Sequence, residues 1–277
     1  MKGGTVMQAT TAQVQAGAPG VSADGAGGPS PSALLALTEA HRAVVELVAL
    51  KFSRRRLYQV APEGDGHPVM VLPGFMGGDG YNLSLRRFLS RLGYPAHGWG
   101  MGRNLGPRDG AVLEALERRV DAMCEQYGAK ISLVGHSLGG LFARELAHRL
   151  PDGIRQVITL GTPVKIVTTQ DSLLARLFTA LNPPEQAPLG QWRLHEVPPV
   201  PTTSIYSRGD GIVSWQTALQ VDGHPQTQSI QVRGSHSGMT LNPFIWFLIA
   251  ERLAVPAGRW QPFKRGSWHS LAYPRVS

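Results

Sequence analysis

From residue 67 onward, short apolar runs alternate with stretches whose apolar positions recur every three or four residues. The runs at 67–72, 94–99, 130–134, 154–160, 203–207 and 228–232 predict strands. The stretches at 83–92, 110–127, 138–150 and 242–253 predict helices. Alternation of this kind predicts an α/β fold: a mostly parallel central sheet with helices on both faces. Right-handed crossovers would then gather the strand C-terminal ends, and the loops that leave them, along one edge.

Two segments break the alternation. Residues 164–202 carry an apolar helix-like run (Leu173, Leu174, Leu177, Phe178, Leu181) and then a Pro-rich stretch. They fall between two strands, where a cap or lid over a site would be inserted. Residues 33–60 form an amphipathic helical segment that ends in Arg54-Arg55-Arg56. Its stripe of Leu34, Leu35, Leu37, Val44, Val45, Leu47, Val48 and Leu50 fits a helix packed on the domain, the preferred reading, or one lying on an anionic membrane. The expected organisation is a disordered leader over 1–32, the helical segment 33–60, a catalytic domain over 61–257 and a basic tail over 258–277.

Apolar residues make up 42% and charged residues 17% of the 277, a balance that suits a globular chain rather than a disordered one. The net charge of +8 is carried largely by Lys51 with Arg54–Arg56 and by the basic tail. No nucleic-acid-binding motif accompanies it, so nucleic acid is not an expected partner. Cys124 is the sole cysteine, which rules out an intrachain disulfide. The first 33 residues lack the apolar core of a secretory signal, and no run is long enough to span a membrane. The expected location is the cytoplasm, with peripheral membrane contact as the alternative that 33–60 leaves open.

The chemistry begins at Ile131-Ser-Leu-Val-Gly-His-Ser-Leu-Gly-Gly140, an apolar strand that breaks into a Gly-flanked serine and a helix. This is the pattern of a nucleophile elbow with Ser137 at its tip. A serine hydroxyl needs a base, and the base needs an acid that orients it. Asp210 and His236 each follow a predicted strand, so both fall on the Ser137 edge. Asp222 is a second candidate acid, in a loop at the other end of the sheet. His136 is kept out of the relay because its side chain is expected to point away from the reacting side. The Leu138 N–H and the Phe75 N–H, with Met76 as second choice, are the expected oxyanion donors. Met76, His136, Leu174, Leu177, Phe178, Val213 and Trp215 are candidate substrate contacts.

The segments Val71-Leu-Pro-Gly-Phe75, Val134-Gly-His-Ser-Leu-Gly-Gly140, Leu160-Gly-Thr-Pro163, Ser204 to Val213 and Ser235-His-Ser-Gly238 together resemble the α/β-hydrolase superfamily. More narrowly they are similar to bacterial serine esterases and triacylglycerol lipases. The resemblance implies an α/β-hydrolase fold and hydrolysis of carboxylic esters by Ser137, Asp210 and His236, without metal or organic cofactor. Met101-Gly-Arg-Asn-Leu-Gly106 also looks like a family turn, with Arg103 and Asn104 holding loops together. Many lipases have His-Gly where this chain has Pro73-Gly74. The expected substrates are small-molecule, lipid or polyester esters with short to medium acyl chains. An acyltransferase or thioesterase on the same three residues, and an inactive membrane-associated scaffold, are the rival readings. The sequence leaves the oligomeric state open.

Overall fold

The computed structural model describes residues 31–108, 110–164, 173–183, 188–220, 225–264 and 272–274. Nearly all of the expected leader lies outside these residues. So do Asp222, two stretches of the cap and much of the basic tail.

Six strands form one sheet in the order β2-β1-β3-β4-β5-β6, and every neighbouring pair is parallel. They are β1 (Val69–Leu72), β2 (Ala96–Gly98), β3 (Ile131–His136), β4 (Ile154–Leu160), β5 (Thr202–Tyr206) and β6 (Thr227–Gln231). β1 and β3 are buried along their whole length, as in strands covered on both faces. Successive residues of β1 divide between two cores. Val69 and Val71 join one that holds Phe88, Trp246 and Ile249, while Met70 and Leu72 join one that holds Leu116, Val120 and Phe142. Period-two alternation therefore serves both layers at once.

The first core lies beneath α3 (Leu83–Arg91) and α7 (Pro243–Leu253), the second beneath α4 (Ala111–Tyr127) and α5 (Leu138–Arg149). The helix ends follow local chemistry. The Asn242 side chain accepts from the Phe244 and Ile245 N–H groups to start α7, with Pro243 at its first position. Gly128 at φ 59° closes α4 in the left-handed conformation that other residues avoid. Between β4 and β5, α6 (Leu173–Leu181) is anchored by Asn182, whose side chain donates to the Leu105 carbonyl at 2.8 Å and accepts from the Arg108 N–H at 3.0 Å. Arg144, fully buried on α5, donates to the carbonyls of Leu194 and Glu196 and so fixes the chain that leads into β5.

The N-terminal segment departs from the expected packing. It forms α1 (Ala33–Leu37) and α2 (Glu39–Val60), but of the apolar stripe only Leu50 is buried. The buried residues of α2 are Glu39, Leu50 and Leu57, whereas Val44, Val45, Leu47, Val48 and Phe52 are exposed. Among the described residues no helix is long and apolar enough to cross a membrane.

Candidate active site

The parallel sheet sends the loops that follow all six strands to one edge. Ser137 stands at the junction of β3 and α5 with φ 51° and ψ −121°. A serine in that region stores on the order of 1–3 kcal/mol of backbone strain, which persists only where the surroundings enforce it. Here the Ser137 N–H donates to the Leu160 carbonyl at 2.8 Å, and Thr162 Oγ1 donates to the Ser137 carbonyl at 3.0 Å. The threonine of the Gly161-Thr-Pro163 segment thus holds the elbow from the neighbouring strand. A Cβ on Gly135 would collide with the backbone of Gly139 and Gly140, so only glycine lets the helix turn back this closely.

Asp210 follows β5 and His236 follows β6; both are about 4% exposed. His236 Nδ1 lies 2.7 Å from Asp210 Oδ2. The other carboxylate oxygen accepts from the Ile212 and Val213 N–H groups at 2.9 and 2.7 Å. With its acceptors occupied in this way, Asp210 fixes the proton on Nδ1 and leaves Nε2 with its lone pair free to act as a base. Burial pulls the His236 pKa down, but the charge and hydrogen bond of Asp210 and the charge of Glu39 outweigh it, and the net direction is upward from 6.5.

His136 turns towards this pair rather than away from it. Its ring centroid is 4.9 Å from that of His236, and its Nε2–H donates to the His236 carbonyl at 3.0 Å. Burial, then the neighbouring His236, hold its pKa down at about 3, so it stays neutral as a buttress of the His236 loop. Gly161, at φ 55°, leaves the space that the pair needs. A Cβ there would sit 3.0 Å from His236 Nδ1 and 3.1 Å from Asp210 Oδ2. Among the described residues no hydrogen bond joins the Ser137 hydroxyl to the His236 ring. Hydrogen bonds of this kind are often long before substrate arrives.

The loop after β1 lies directly against the elbow: a Cβ on Gly74 would come within 3.2 Å of Ser137 Cβ and 2.9 Å of His136 Nδ1. The Met76 N–H donates to the Asn104 carbonyl at 2.7 Å, which removes it as an oxyanion donor and leaves Phe75. Leu138 opens α5, so its N–H has no intrahelical acceptor. Asn104 is fully buried and also donates to the Pro73 carbonyl, so it does hold loops together, whereas Arg103 is exposed.

Of the candidate substrate contacts, Phe178 packs edge-on against Phe75 with centroids 5.2 Å apart, which brings α6 over the loop after β1. Met76 and Leu177 are 39% and 40% exposed, so both present apolar surface to solvent. The Leu174 side chain lies outside the described residues. Val213 serves Asp210 through its backbone. The Trp215 ring packs on Tyr206 and carries the Arg208 guanidinium 4.7 Å from its centroid.

Two features escaped sequence reasoning. The first is a polar clasp from α2. Glu39 accepts from the Gly211 N–H at 3.1 Å and from the Ser237 N–H at 2.7 Å, which are the residues immediately after Asp210 and His236. Arg42 donates to the Gly209 carbonyl, and Glu46 accepts from the Ser235 N–H and hydroxyl. No local signal marks these residues, because their partners lie more than 160 positions away. The second is an unbroken Asp65–His67–Ser132 relay at the opposite edge, with His67 Nε2 2.7 Å from Ser132 Oγ. Ser132 is fully buried inside β3, with no elbow and no path for a substrate. That relay ties the entry of β1 to β3, and its burial excludes it as a nucleophile.

The comparisons agree with this geometry. The sequence profile of the family described as "alpha/beta hydrolase fold" matches residues 68–188. No curated protein matches the sequence. Among solved structures, Aspergillus fumigatus lipase B superposes with a TM-score of 0.56 at 18% identity, covering 71% of this chain and 54% of the lipase. The chain therefore spans about half the length of that fungal lipase. A structure from the metagenome-derived lipolytic enzymes LipS and LipT gives 0.51 at 15% identity, covering 70% of this chain and 94% of that one. A pyrethroid hydrolase from Sphingobium faniae gives 0.50 at 16% identity, covering 69% and 99%. The chain carries the α/β-hydrolase fold.

Proposed function

We propose that the protein is a serine carboxylic-ester hydrolase in which Ser137 is the nucleophile, His236 the base and Asp210 the residue that orients it. The observation that carries the reading is the buried Asp210–His236 pair at 2.7 Å on the sheet edge that also holds Ser137 at φ 51°. The Ser137 hydroxyl attacks the ester carbonyl while His236 Nε2 takes its proton. Negative charge on the former carbonyl oxygen is met by the Phe75 and Leu138 N–H groups. As the tetrahedral species collapses, the C–O bond to the alcohol breaks and His236 returns the proton to the departing oxygen. Water then attacks the acyl-enzyme, His236 again takes and returns a proton, and acid and free Ser137 are released.

The apolar contact of Phe75 with Phe178, and the exposed Met76 and Leu177, favour an uncharged acyl group of short to medium length. The test is hydrolysis of a p-nitrophenyl ester series by the parent and by Ser137→Ala, with fluorophosphonate labelling of both. The substitution is expected to lower turnover on the order of 10⁴–10⁶-fold and to abolish labelling. Near-parental turnover in Ser137→Ala would refute the assignment.

A further inference from the structure

Helix α2 is mounted the wrong way round for a helix that closes a core. Ordinary surface helices turn apolar residues inward and charges outward. Here Glu39 and Glu46, the only carboxylates of α2, face inward onto the loops that carry Asp210 and His236. On the outer side Val44, Val48 and Phe52, spaced four apart, form one exposed ridge, and Phe52 is 82% exposed. Leu34 and Leu37 of α1, 71% and 79% exposed, extend the apolar surface. Lys51, Arg54, Arg55 and Arg56 are exposed near the other end. The outer surface of α2 therefore combines apolar and cationic residues with no acidic one.

We propose that the outer face of α1 and α2 docks the protein on an anionic lipid surface. An apolar ridge beside a cluster of cations is the composition that seats in the headgroup layer of such a surface. A groove of about 760 Å³ between α2 and α7 adds to the fit. Phe52, Leu57, Val60 and Phe244 give it apolar walls, and Arg56 also lines it, so an acyl tail would find apolar walls and its headgroup a cation. A second copy is the poorer occupant. Symmetric pairing through this face would bring two sets of Lys51 and Arg54–Arg56 into one interface with no carboxylate on the outer side of α2 to offset them, and the whole chain carries a net charge of +8. The docking rests on none of the chemistry assigned to Ser137.

The test is co-sedimentation of the full chain with vesicles of phosphatidylcholine alone and of phosphatidylcholine mixed with an equal part of phosphatidylglycerol. Binding is expected to the mixed vesicles only, and to fall as salt is raised. Arg54→Gln with Arg55→Gln removes two of the four cations and should weaken partition about 30-fold. Val48→Ser with Phe52→Ser should weaken it at least ~10-fold through lost apolar insertion. Both pairs change exposed side chains, so parental thermal unfolding is expected and checks the fold. Replacing Phe52 by photoreactive benzoylphenylalanine identifies the occupant directly, a lipid adduct being the expected product. Three results overturn the proposal: no binding to the anionic vesicles, binding untouched by either pair, or a cross-link to a second copy or to residues 1–30 in place of lipid.

Discussion

Glu39→Gln isolates the role of the clasp. The Glu39 side chain is 8% exposed, and its two oxygens take three donors. Oε1 accepts from the Ser237 N–H at 2.7 Å, while Oε2 accepts from the Gly211 N–H at 3.1 Å and from Arg42 at 2.8 Å. Glutamine keeps the shape but offers one oxygen and one NH₂ group. Whichever way the amide turns, it sets a donor against at least one loop N–H. An unsatisfied buried N–H costs about 1–3 kcal/mol, and the remaining bonds lose their charge assistance, roughly 1 kcal/mol more. The total is about 2–4 kcal/mol, which in a domain of this size lowers Tm by roughly 5–15 °C. A purely structural role would end there. Glu39 also contributes to the raised pKa of His236, so the pH–rate midpoint for ester hydrolysis should move down in the variant. Glu39→Asp, which keeps the charge, should restore part of that shift. Calorimetry and a pH–rate profile measured on the same preparations would decide the matter; an unchanged Tm together with an unchanged midpoint would refute the clasp.

Four further outcomes are expected. Because the base must be neutral to act, ester hydrolysis by the parent should rise with pH through a midpoint above 6.5, in the direction in which Asp210 and Glu39 shift His236. The stability term has the opposite sign: the contribution of His236 is fully present below pH 6.5 and is lost as pH rises through its folded value, which denaturant unfolding as a function of pH would show. Asp210→Asn should cost about 10⁴-fold in kcat by presenting the wrong tautomer of His236, and a loss below tenfold would remove Asp210 from the relay. Gly161→Ala introduces a Cβ about 3.0 Å from His236 Nδ1 at φ 55°, and should depress kcat while leaving KM near the parental value, as single-turnover kinetics can test.

The sheet was legible in the sequence because its strands are covered on both faces. Val69–Leu72 reads as an unbroken apolar run for the physical reason that each successive residue enters a different core, and Ile131–Val134 is interrupted only by the buried Ser132. The placement of Ser137, Asp210 and His236 on one edge followed from their positions after strands, since parallel topology leaves those loops nowhere else to go. The exclusion of Met76 as a donor was not legible. It depends on a hydrogen bond to Asn104, 28 residues away, that no local pattern encodes. Nor could His136 be placed, because its partner is a backbone carbonyl 100 positions on.

Helix α2 shows why periodicity can identify an element and still point the wrong face inward. A stripe packs against a core when the surface it meets is apolar. The surface waiting for α2 is instead a row of backbone N–H groups from Gly211, Ser235 and Ser237, set by the sharp turns that follow β5 and β6. Those donors are shielded from water, and leaving them unpaired would cost more than burying Val44 or Val48 would return. Carboxylates satisfy them, so Glu39 and Glu46 take the inner positions and Val44, Val48 and Phe52 are left outside. The demand comes from loops that lie some 170–200 residues further along the chain, which is why the helix's own sequence does not announce it.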